Sequence, residues 1–335
     1  MDITFFIGNG FDLKIGLKTK YSDFYNYLHE IKSDSDLYKC IDANREKWAD
    51  CELGLGQHTE NFESIEEFSQ TYISLSSDLI DYLKEEQEKF KIVDKTLLAK
   101  SFALQIKNLK NGLTDQEKIE IDNIFHGFNG TINYNFITLN YTDILDQIID
   151  ETINQKADCG NHVYGNTGYN NIVTKPFHVH GTLVGNDLLF GVYDESQIAN
   201  EKFRADQEFK TRFIKQLANA SLGNLYIEKA KKIVDGSMVI CMFGLSYGLT
   251  DTFWWDYIAK WLASDKNRRL ILFSYSQNKE NRNITTFEEI SNRGIAKNEF
   301  CDNVDVSLIN NQIKSQIIVQ RASSIFNLEG FNIEK

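Results

Sequence analysis

The chain has 335 residues, with 36 Lys plus Arg against 48 Asp plus Glu, for a formal net charge of −12. Hydrophobic residues at 42% and aromatics at 13% supply a sizeable core, which excludes a disordered or low-complexity chain. The acidic balance disfavours nucleic acid held on a broad basic face, yet leaves room for a compact phosphate-bearing metabolite held by backbone N–H groups.

Cys40, Cys51, Cys159, Cys241 and Cys301 are scattered without a Cys-x-x-Cys pair, which suits a reducing cytoplasm. Only Met1 and Asp2 precede the first apolar run, and no run approaches ~18 apolar residues. A cytoplasmic protein without membrane spans is the expectation.

Residues 3–7 form a short apolar, β-rich run ended by Gly8-Asn9-Gly10, so they read as a buried strand feeding a tight turn. Helical periodicity then takes over, with Phe68, Tyr72, Leu75, Leu79 and Tyr82 along one face. A helical insertion at roughly 36–130 is expected. Strand signals return at 134–139, 177–180, 237–243, 269–274 and 315–319, with helical stretches at 143–150, 201–217 and 250–262 between them. Buried strands alternating with helices predict a single α/β domain over 1–335 on a mainly parallel sheet.

Gly8-Asn9-Gly10 closes the first strand, where two glycines let the backbone turn sharply and approach a phosphate at a helix N-terminus. A purely structural turn is the other reading, since Leu13 stands where the dinucleotide fingerprint needs its third glycine. Asp12 reads as a helix cap or an acceptor for ribose hydroxyls.

The segment Thr138-Leu139-Asn140-Tyr141-Thr142-Asp143 ends another strand, and Asn140 there can orient a water or a ribose hydroxyl, or cap a helix. In Phe177-His178-Val179-His180-Gly181, strand alternation would set His178 and His180 on one face. A general base at a strand end, a zinc site with Cys159 and His162, and plain core or surface histidines all remain open. Gly244-Leu245-Ser246-Tyr247-Gly248 matches the serine-hydrolase elbow. The catalytic His of that fold follows its Ser, whereas the last histidine here is His180. The match therefore reads better as another strand-end turn, either facing a ligand or simply joining strand to helix, with Asp251 just beyond.

Gly8-Asn9-Gly10-Phe11-Asp12, the later Tyr21-Ser22-Asp23-Phe24, Thr138 to Asp143, His178-Val179-His180-Gly181 and Gly244 to Asp251 together resemble the AbiH family of bacterial phage abortive-infection proteins. Trp48 and Glu52 look like a further block of that family. More faintly, the same blocks are similar to sirtuin-like proteins, which build an NAD pocket on a Rossmann-like sheet with a smaller inserted domain. Thr142 stands where that block carries Asp, and Asp12 where its loop carries a small hydroxyl residue.

The resemblance implies that Gly8 and Gly10 belong to a phosphate loop, Asn140 to the ribose or attacking water, and His180 to the base. With Asn9, Phe11, Asp12, Asp23, Thr138, Thr142, Asp143, Gly244, Ser246 and Asp251 around them, the expectation is a phage-defence enzyme that hydrolyses NAD and needs no metal. A nucleotide-binding sensor and a metal-dependent nuclease are the rival classes. A phage-derived trigger, a gate formed by the insertion and a homo-oligomer stay open.

Overall fold

In the computed structural model, which describes residues 1–185, 187–275 and 285–334, the first apolar run is β1 (Asp2–Ile7). It is followed in chain order by β2 (Phe90–Ile92), β3 (Asn133–Thr138), β4 (Asn161–Tyr164), β5 (Thr167–Asn170) and β6 (Ile172–Val173). The rest are β7 (Phe177–His178), β8 (Ser237–Phe243), β9 (Arg269–Ser274), β10 (Ile317–Arg321) and β11 (Phe331–Ile333). The central sheet runs β10-β9-β8-β1-β3, with β6 and β7 both pairing β3 as a broken edge strand, and every pairing in it is parallel. The mixed α/β class with a mainly parallel, Rossmann-like sheet is therefore as expected.

The break in the edge strand contains Pro176, the one proline of the sequence. A residue with no N–H is tolerated at a sheet edge and not inside it. The 177–180 strand read from the sequence is only two residues long, ending at His178, which matters for the histidines below. The 201–217 helix is likewise three short ones, Glu201–Ala205, Gln207–Phe213 and Lys215–Ser221. Asn200 and Asp206 accept hydrogen bonds from backbone N–H groups two or three residues on and start the first two of them.

Alternation along the strands splits the core in two. One face carries Ile3, Phe5, Ile7, Phe136, Cys241 and Ile271 under the helices Lys95–Lys107 and Ile144–Asn154. The other carries Phe6, Ile240, Met242 and Leu272 under Tyr226–Gly236, Thr252–Ser264 and Thr286–Asp302. A third apolar cluster forms a separate cap.

The cap does not follow the 36–130 boundaries. Its core includes Phe24, Tyr25 and Leu28 before that stretch and Phe190, Phe203, Phe209 and Phe213 after it. Leu98, Phe102, Ile106 and Ile121, inside the stretch, instead pack on the sheet. Helical periodicity reports which face is apolar but not what it is buried against.

At the carboxyl ends of β1 and β8 the two glycine turns touch backbone to backbone. Gly8 N–H donates to Phe243 O and Gly10 N–H to Gly244 O, each at 2.9 Å. A Cβ on Gly10 would overlap the Cα of Gly244, which itself sits at φ 70°. Gly10→Ala is expected to cost about 1–3 kcal/mol through this overlap, read as a fall in urea midpoint. An unchanged midpoint would mean that the turns separate readily.

Candidate active site

Parallel pairing carries the turns after β1, β3, β7 and β8 to one edge of the sheet, the place where open α/β folds bind ligands. Asp12 Oδ1 accepts from Asn140 Nδ2 at 3.1 Å, and its Oδ2 accepts from Thr142 Oγ1 at 2.6 Å. Asp12 is buried, and burial pushes its carboxyl up to about 6, against the pull of the Thr142 and Asn140 hydrogen bonds. It is neither a helix cap nor an open acceptor for ribose. Its role is to fix the Asn140 amide with the nitrogen inward. The Asn140 Oδ1 atom is then buried with no hydrogen-bond partner, a state that costs free energy until a donor meets it.

Several expected ligand groups are already engaged within the protein. The N–H groups of Gly8 and Gly10 bond the β8 turn, so those two cannot also cradle a phosphate. Asn9 Nδ2 donates to Thr19 O at 2.9 Å. Thr138 Oγ1 accepts from Asn140 N–H, Phe11 is fully buried in the core, and Asp143 bonds Gln87 and Gln147. Asp23 lies on the cap near Tyr82, and Ser246 is exposed on the turn.

The two histidines do not share a strand face, because the chain leaves β7 directly after His178. His178 turns to Asn140 O (Nδ1, 3.0 Å) and Asp146 Oδ2 (Nε2, 2.8 Å). Both partners are acceptors, an arrangement that favours the doubly protonated ring. Burial opposes that charge, but the Asp146 hydrogen bond and carboxylate outweigh it and raise its pKa. A ring held in this way clamps the Asn140 backbone.

His180 takes the other direction. It is buried, with Nε2 3.1 Å from Asp251 Oδ1 and its ring centroid 6.3 Å from that of Tyr141. The zinc alternative fares poorly on geometry. Cys159 Sγ bonds Ala157 O, His162 bonds Phe128 O, and no group of three His, Cys, Asp or Glu that could hold a metal occurs among the described residues.

Asp251 leads into a buried charge cluster. Lys215 Nζ lies 2.9 Å from Asp251 Oδ1 and 3.0 Å from Glu52 Oε2. Glu52 Oε1 also accepts from Gly191 N–H at 3.0 Å and Tyr141 OH at 3.2 Å. Burial works against the Lys215 ammonium, yet Asp251 and Glu52 hold its pKa above the ordinary lysine value. Burial would likewise raise Asp251, but Lys215 and His180 hold its carboxyl well below the usual range. Glu52 goes the other way, pushed up by burial and by the Asp50 and Asp251 carboxylates despite Lys215.

Glu52 enters the sequence reading only as part of a family block, and Lys215 not at all. The available signal is Phe213-Ile214-Lys215, a lone cation following two apolar residues at a helix start. Asp146 is equally hidden, as an ordinary acidic residue in the first turn of Ile144–Asn154.

A family model described as bacteriophage abortive infection AbiH matches residues 4–275. None of the curated proteins compared with the chain matches it. Among the described residues no helix is long and apolar enough to cross a membrane.

The raised Asp12 carboxyl fixes the sign of one pH effect. A group with a raised folded-state pKa contributes stability that is present below its unfolded value of 3.8 and is lost as pH rises through about 6. Asp12→Asn removes that titration. Its stability advantage over the wild type should therefore grow between about pH 4 and pH 6 and then level off, by about 3 kcal/mol in all. Urea unfolding across that range measures it, and parallel curves for the two proteins would contradict it.

Proposed function

The chain belongs to the AbiH family and so acts in bacteriophage abortive infection, and from that premise we propose that it hydrolyses the N-glycosidic bond of NAD to nicotinamide and ADP-ribose. The observation that carries this reading is Asn140, whose buried Oδ1 has no partner and whose residue stands at the sheet edge with Asp12, Thr142 and His178. An acceptor fixed in that way suits a ribose hydroxyl or the attacking water. The fainter likeness of the same blocks to sirtuin-like proteins, whose defence members hydrolyse NAD, supports it.

The chemistry asks little of the protein. Water oxygen bonds to the ribose C1′ as the C1′–N bond breaks, and the bonding pair moves to the nicotinamide nitrogen and cancels its positive charge. The leaving group needs no proton, so a held water, a fixed ribose and one base suffice. Asn140 holds, and His180 takes the proton from the water. His178 keeps the Asn140 backbone in place, and Asp12 keeps its amide the right way round.

Chromatography of NAD incubated with purified protein tests the reading. His180→Ala should lower turnover about 10²- to 10⁴-fold, the usual cost of losing a positioned base, and His178→Ala should lower it less. Asp12→Asn should be stable yet weakened, since an amide at that position can turn the Asn140 acceptor inward. Equal turnover by His180→Ala and wild type would exclude the mechanism.

A further inference from the structure

We propose that Glu52 and Lys215, reaching in from the cap, are positioning residues that set the proton affinity of His180 through Asp251. The argument is one of charge and geometry. Glu52, Lys215, Asp251 and His180 form a continuous chain with links of 3.0, 2.9 and 3.1 Å, in which Glu52, Lys215 and His180 are buried and Asp251 is half-buried. Two carboxylates share one ammonium, so with Glu52 and Asp251 both ionised the chain lacks one positive charge while His180 is neutral. With Nε2 turned to Asp251, Nδ1 is the nitrogen left to receive the proton. Other groups facing the cluster are Asp50, whose Oδ2 accepts from Thr250 Oγ1, and the hydroxyls of Tyr21 and Tyr141 beside Glu52.

Each member is placed by backbone, not by chance of rotamer. Lys215 N–H donates to Val192 O at 3.0 Å, and Glu52 sits in the first turn of Cys51–His58, capped by Asp50. Asp251 follows the β8 turn. Cap and sheet therefore each supply half of the chain, and the base is tuned only while they are together.

This inference rests on His180 being the base, and its test separates the two. Deleting the ammonium (Lys215→Met) and deleting one carboxylate (Glu52→Gln) should act in opposite directions. The acid limb of the pH–turnover profile should rise by about one unit or more in Lys215→Met and fall comparably in Glu52→Gln, with KM for NAD little changed in Glu52→Gln. A merely structural role would lower turnover in both without moving the limb. NMR of ring-¹⁵N-labelled histidine, with His180→Ala to assign the signal, reads the same opposed shifts without any substrate. If no NAD is consumed, the NAD reading fails and the ring titration still decides this one. Should Lys215→Met not fold, Glu52→Gln alone decides. Shifts of one sign in both variants, or none, would overturn the proposal.

Discussion

The site depends on β1 pairing in parallel with β3 on one side and β8 on the other. Once the three strands point the same way, their following turns must share an edge, and residues as distant as Asp12 and Asn140, or Gly10 and Gly244, are brought into contact. The pairing is close enough to demand glycine where two turns meet. Gly10 and Gly244 are therefore accounted for by the contact between them, and the weight of ligand recognition shifts from the backbone to side chains. A reading of Gly-x-Gly as a phosphate cradle overlooks that a tight neighbour imposes the same residue as a tight ligand.

Buried polar groups are the second feature of this edge, and they carry cost. Asp12 is held in a state that burial disfavours, Asn140 has an unmet acceptor, and Lys215 and Glu52 are withdrawn from water beside the half-buried Asp251. Replacing such a group of charges by apolar residues is often neutral or stabilising in other proteins. Its presence here, next to a histidine and an orphaned amide, is the pattern of a site in which stability has been given up for chemistry.

The sheet was legible because its strands are continuous apolar runs, and a run buried on both faces needs no partner to be recognised. Runs at 237–243 and 269–274 coincide with β8 and β9. What failed was anything set by a neighbour. The His178 and His180 pair looked like strand alternation, but the strand ends at His178. The insertion looked like one unit because an amphipathic helix does not announce whether sheet or cap will cover it. Asn140 was visible at a strand end next to polar residues, whereas Lys215 was not, since one lysine in a helical stretch is ordinary until its burial is known.

The distance along the chain between β1 and β8 has a consequence for synthesis. Thr4 and Ser237, whose hydroxyls meet at 2.6 Å where the two strands begin, are separated by 233 residues. At ~5–20 residues per second a ribosome takes on the order of ten to fifty seconds to cover that span. Throughout it the Ile3-Thr4-Phe5-Phe6-Ile7 run has no β8 to lie against, and non-local parallel pairing is slow even once both partners exist. The nascent chain thus carries an unpaired, strongly apolar edge for most of its elongation, the kind of segment that holdase chaperones shield and that aggregates when they are scarce.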